Sequence, residues 1–143
     1  MPDKPAFALS DFIPYLLNRA AEETSAEFAK IYKDRFGLLR TEWRVLFHLG
    51  QMGESTATEI GLRSKIHKTK ISRAVARLEK RRLLKRTRSE TDRRREFIRL
   101  TPAGKKMFVE LSRAADKYNE TLMKKLEPAE QALLKRILSG FIL

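Results

Sequence analysis

A chain of 143 residues has the length of one ordinary domain, or of one domain with helical extensions, and 42% hydrophobic residues can build a core, which excludes a disordered chain. The formal net charge of +13, from 31 Lys and Arg against 18 Asp and Glu, points to a polyanionic partner, either nucleic acid or an anionic membrane surface. The absence of cysteine excludes disulfides, thiolate metal sites and redox thiols, and six Gly and five Pro suit a mostly helical chain.

The first helix is expected to start near Ser10, a good N-cap residue, with Pro14 in its first turn. Leu17, Ala20, Ala21, Phe28, Ile31, Tyr32 and Phe36 follow at helical spacing, and Gly37 stops the helix. Its start is unusually apolar (Phe7, Leu9, Phe12, Ile13, Tyr15, Leu16), and a partner subunit would supply the surface those residues need. Thr41 is expected to cap a second helix from Glu42 to about Leu49, which buries Trp43, Leu46, Phe47 and Leu49, with Gly50 and Gly53 bracketing its end. Thr56 and Glu59 have the spacing of a capping box for a short third helix through Leu62. After a turn near Ser64 and Lys65, a fourth helix runs from about His67 to Arg82. Its inward face is Ile71, Ala74, Val75 and Leu78; its outward face is Lys68, Thr69, Lys70, Ser72, Arg73 and Arg77.

The period then changes. Residues 83–88 and 95–100 read as two strands of a hairpin around the polar turn 89–94. Thr101-Pro102 starts a long helix carrying Phe108, Leu111, Ala115, Tyr118 and Leu122. Pro128 opens a last helix with Leu133, Leu134, Ile137 and Leu138, and the chain ends on Phe141-Ile142-Leu143, an apolar tripeptide expected to dock on something.

The charge is local. Residues 63–99 hold 16 basic and 4 acidic residues, a net +12, while the other 106 residues are nearly neutral. This block coincides with a short helix, a tight turn, a second helix and a basic hairpin, which is a winged helix-turn-helix. Such a helix can enter the major groove of B-DNA, and a basic hairpin beside it can reach the neighbouring minor groove. No apolar run approaches the roughly 18 residues a membrane span requires, and no export signal is visible, so a cytoplasmic protein with no membrane partner is expected. Two His, no Cys, no Gly-rich phosphate loop and no ligand cluster at metal spacing argue against an enzyme, a metal or a cofactor.

The sequence resembles the MarR family of bacterial transcription regulators over nearly its whole length. The resemblance is carried by residues 39–46, by residues 71–80, and above all by Asp92-Arg93-Arg94 followed by Leu100-Thr101-Pro102-Ala103-Gly104. It implies a mainly α fold with a small β-hairpin wing, in which N- and C-terminal helices (residues 1–38 and 102–143) dimerise and residues 39–101 bind DNA. It also implies a homodimer on a palindromic operator, acting as a repressor that a small aromatic or phenolic effector releases. Arg82 departs from the Gly usual in the family after the recognition helix; it either strains a left-handed position or extends the helix. The lack of cysteine departs from the thiol-based, peroxide-sensing branch.

Candidate roles follow. His67, Lys68, Thr69, Lys70, Ser72, Arg73 and Arg77 form the recognition helix, where His67 has both a DNA role and a capping role open to it. Arg94 is the choice for the minor-groove contact, with Arg93 beside it, and Arg88 and Arg95 on the wing strands face phosphate. Asp92 orders the wing by pairing with a neighbouring Arg. Ser55 and Thr56, at the start of the third helix, hold a phosphate. Tyr15, Arg19, Phe28, Tyr32, Trp43 and His48 are candidates for an effector pocket, although Trp43 and His48 also suit plain core roles. Two other readings of the basic block are a nonspecific architectural nucleic-acid-binding protein and an adaptor whose winged domain binds protein.

Overall fold

The computed structural model describes residues 6–92 and 94–142, so Arg93 of the wing and Leu143 of the terminal tripeptide lie outside the described residues. Among the described residues the fold has six α-helices and one two-stranded antiparallel hairpin. Helix α1 spans Ile13–Lys30 and continues into a π-helical turn, Ile31–Arg35. Ser10 does not cap it but sits in a separate 3-10 turn, Leu9–Asp11. A helix capped at Ser10 would need the N–H of residue 14 to bond the Ser10 carbonyl, and Pro14 has none. Gly37, at φ 64°, reverses the chain where the sequence placed the stop.

Helix α2 spans Arg40–Met52. Its cap is not Thr41, which lies inside the first turn. Glu42 instead reaches back to accept the Leu39 N–H at 2.9 Å, and is itself buried. Gly50 does not mark the end of α2 but is held within it, because the Phe108 ring lies where a Cβ would stand, at 2.4 Å. Gly53, at φ 77°, ends the helix. Helix α3, Ala57–Ser64, starts where the sequence indicates, with the Thr56 hydroxyl accepting the Glu59 N–H, but among the described residues the Glu59 side chain does not return the bond, so the capping box is half made. Lys65, left-handed at φ 57°, makes the tight turn into α4, Lys68–Lys80.

Ile71, Ala74, Val75 and Leu78 of α4 are 2% exposed or less, as their spacing required. They pack with Val45, Leu46 and Leu49 of α2, Ile60 of α3, and Leu84, Ile98 and Leu100 of the hairpin into one core. Arg82 takes the left-handed option, at φ 61°. The Arg82 N–H donates to the Glu79 carbonyl and the Leu83 N–H to the Leu78 carbonyl, the bonding of a Schellman helix end. The hairpin strands are β1, Leu84–Arg88, and β2, Glu96–Leu100, in register Leu84 with Leu100 and Arg88 with Glu96. Ser55 adds a short bridge to Ile98, which ties the start of α3 to the wing.

Helix α5, Pro102–Met123, is capped by the Thr101 hydroxyl, and α6, Pro128–Phe141, closes the chain. The terminal segments keep much apolar surface in solvent: Phe7 is 62% exposed, Ile13 52%, Phe141 59% and Ile142 77%. Among the described residues no helix is long and apolar enough to cross a membrane.

Candidate nucleic-acid interface

The turn at Lys65 and the buried stripe of α4 together decide what α4 presents outward. Lys68, Thr69, Lys70, Ser72, Arg73 and Arg77 are all exposed on the face opposite the core. His67 caps the helix, its Nδ1 accepting the Thr69 N–H at 3.2 Å. The imidazole nitrogen nearest the helix is therefore occupied.

Beside the start of α4 lies a concavity of about 600 Å³. Thr56, Ala57, Thr58 and Glu59 line it from α3, Lys68 from α4, and Arg88, Arg94, Arg95 and Glu96 from the wing. Three elements thus converge on one hollow whose cations outnumber its two carboxylates. The first turn of α3 lines the same hollow, and the unpaired amides of a helix's first turn attract anions. Thr58 joins the lining without a motif of its own, and Glu59 was marked in sequence only as the capping-box partner of Thr56.

Ser55 does not belong to this surface. It is 1% exposed, its hydroxyl donates to the Gly53 carbonyl, and it accepts from Arg63 at 2.7 Å. The Thr56 hydroxyl accepts the Glu59 N–H as the cap of α3, which leaves its O–H to donate, and Thr56 lines the hollow. Asp92 orders the wing turn differently from the expected ion pair: its carboxylate accepts the backbone N–H of Arg94 at 3.0 Å, and its carbonyl accepts that of Arg95. The Ser89 hydroxyl accepts the N–H groups of Thr91 and Asp92 in the same turn. Arg94 and Arg95 are exposed there, with the Arg95 guanidinium 5.8 Å from the Phe97 ring centre. Arg88 lies 3.6 Å from Glu96, which partly neutralises it.

Like Arg63, Arg86 and Arg81 of the basic block are structural. Arg86 makes a two-pronged contact with Glu79 of α4, at 3.1 and 2.7 Å, and lies 3.8 Å from Glu96, so it anchors the wing to the recognition helix. Arg81 donates to the carbonyls of Phe36 and Gly37, both at 3.0 Å, and ties the end of α4 to the turn after α1. The hydrogen bonds from Arg86, followed by its charge, hold the Glu79 carboxyl below the ordinary value of 4.5. A carboxyl depressed on folding stabilises the fold above its unfolded pKa and loses that contribution as pH falls through its folded pKa. Glu79→Gln should therefore lower the urea midpoint at pH 7, and its deficit against the native chain should shrink as pH drops below about 4.5. A deficit that stays constant down to pH 3 would remove this role for the ion pair.

The effector candidates separate. Phe28, Tyr32 and Trp43 meet as an aromatic cluster, with ring centres 5.3 to 5.7 Å apart. Phe47 and Tyr118 extend it, and Tyr118 also donates to the Thr24 carbonyl. An open hollow of about 350 Å³ lies against Phe28, Trp43 and Tyr118, and the buried Nε1 of Trp43 has no partner among the described residues. Tyr15 and Arg19 are not part of this cluster: they precede Phe28 by 13 and 9 residues, about 20 and 13 Å along the helix. Arg19 is paired with Glu22 and Glu23. His48 is not among the rings of this cluster, and burial and then Arg63 and Arg44 hold its pKa below 6.5.

Residues 36–95 match the sequence profile of the MarR family. The HTH-type transcriptional regulator FarR of Neisseria gonorrhoeae is 24% identical over 123 residues, which is 86% of this chain and 84% of FarR. A MarR family transcriptional regulator from Silicibacter pomeroyi is similar in structure at 26% identity and a TM-score of 0.81, over 99% of this chain and 96% of that one. Bordetella bronchiseptica BpsR, a protein whose DNA binding is regulated by 6-hydroxynicotinic acid, is similar at 25% identity and a TM-score of 0.82, over 90% of this chain and 96% of its own. With its α3–α4 unit, wing and flanking helices, this chain resembles the MarR family of winged helix-turn-helix transcription regulators, whose profile residues 36–95 match.

Proposed function

We propose that the chain is a homodimeric, sequence-specific repressor acting on duplex DNA in the cytoplasm and released by a small aromatic effector. The observation that carries DNA recognition is the convergence of Lys68, Arg88, Arg94 and Arg95 with the start of α3 on one hollow, next to the exposed polar face of α4. The recognition helix offers Lys70, Arg73 and Arg77 to base edges or phosphates, and the wing offers Arg94 to the minor groove.

A second copy of the chain would cover the apolar ends. A groove of about 570 Å³ between α1, α5 and α6, lined by Leu17, Ala20, Leu122, Leu126, Leu134 and Leu138, continues that apolar surface. A two-fold axis there would set two recognition helices about 34–36 Å apart, one DNA turn. The aromatic cluster around Trp43 is the place for an effector: it joins α1, α2 and α5, so a ligand there would bias how the helical ends sit on the DNA-binding unit. The ligand response of BpsR supports an aromatic acid as its chemistry.

Salt titrations on a duplex enriched from a random-sequence pool and on bulk random duplex test this reading. A specific regulator should hold an affinity ratio of roughly 10³ or more between them. A ratio near one, with a steep fall in salt, would identify an architectural coating protein instead.

A further inference from the structure

The basic residues of α2 lie outside the helix-turn-helix block, and the recognition surface above makes no use of them. Arg40 and Arg44 are four residues apart and so share one stripe of the helix. Arg44 donates to the Ser64 carbonyl at 3.2 Å, which fixes it at the C-terminal end of α3. Lys65, exposed, follows at that same end. Burial and then the repulsion of Arg40 hold the Arg44 guanidinium below its ordinary pKa, so the two charges crowd each other. Among the described residues none of these three cations lies within 4.0 Å of a carboxylate. Such a group gains when an anion arrives.

Its position names the anion. The hollow between the wing and α4 opens at the N-terminal end of α3, beside Thr56, Ala57 and Thr58. The Arg40, Arg44 and Lys65 group stands at the opposite end. Eight helical residues span about 12 Å. The major groove of B-DNA is about 12 Å wide, and the first helix of a helix-turn-helix crosses the backbone while the second enters the groove. Two cation groups one α3-length apart therefore match the two phosphate strands that border the groove.

We propose that Arg40, Arg44 and Lys65 form a second phosphate-binding surface, which grips the DNA strand across the major groove from the wing. It rests on the DNA-binding reading above and extends it to a surface outside the recognition helix and the wing. It supplies affinity and orientation with no base preference, because phosphates carry no sequence.

The test uses the duplex enriched from a random pool and measures affinity from 50 to 300 mM KCl for the native chain, Arg40→Ala, Lys65→Ala and Arg94→Ala. The Arg40 side chain is exposed, so its loss leaves the core intact. Arg40→Ala and Lys65→Ala should each weaken binding about 3- to 10-fold. Each should also make the slope of log affinity against log salt shallower by about 0.9 for every phosphate no longer neutralised, with the preferred sequence unchanged. Hydroxyl-radical footprints should lose protection on the strand away from the wing. If both variants keep the native slope while Arg94→Ala weakens binding, the second surface is overturned and DNA recognition by wing and helix stands. If the native chain binds no duplex, both are overturned.

Discussion

Gly104→Ala should destabilise the fold by about 3 kcal/mol, a fall in melting temperature on the order of 10 °C, read by thermal or urea denaturation. Gly104 is the third residue of α5, and its α-carbon presses on the turn that follows the recognition helix. A Cβ at this position would stand 1.9 Å from the Leu83 carbonyl oxygen and 2.9 Å from its carbon. Those are backbone atoms, and no rotamer change relieves them. The start of α5 would have to lift, and with it Thr101, whose N–H donates to the Leu83 carbonyl and whose hydroxyl donates to the Arg82 carbonyl at 2.7 Å. Those bonds hold the left-handed Arg82, a conformation that costs a non-glycine residue on the order of 1–2 kcal/mol. Gly61→Ala is the control. Its Cβ would meet nothing nearer than 3.5 Å, and it sits in a helix where Ala is favoured, so stability should hold or rise. Equal effects from the two substitutions would refute the steric account.

Arg94→Ala should weaken binding to a specific duplex about 10- to 100-fold at fixed salt without moving the melting temperature. The fold uses the backbone of Arg94, through the bond from its N–H to Asp92, and alanine keeps that bond. The exposed guanidinium is left for DNA, and a narrow A·T minor groove attracts a cation of this shape. Arg86→Ala should behave differently. Arg86 is anchored between Glu79 and Glu96, so its loss should loosen the wing and lower stability and affinity together. Affinity unchanged by Arg94→Ala would take the wing tip out of the interface.

The sequence alone determined what depends on neighbours along the chain. The inward stripe of α4 followed from the 3.6-residue period, and the caps at Thr56 and Thr101 followed from a hydroxyl reaching an N–H three residues away. The localisation of the charge, too, was visible without coordinates.

Tertiary structure decided which polar groups are free. Ser55 and Thr56 look alike in sequence, yet Ser55 pairs with Ile98, 43 residues on, and is buried by it. Arg81, Arg86 and Arg94 carry the same charge in the same block. Only packing sets the first two against the carbonyls of Phe36 and Gly37 and the carboxylate of Glu79, and leaves the third exposed. Tyr15 and Arg19 share a helix with Phe28, but the axial rise of that helix carries them out of reach of the Trp43 cluster. The physical reason is common to these cases. Helical period and capping are decided within a few residues, whereas whether a charge is spent or available depends on partners that only the folded chain brings near.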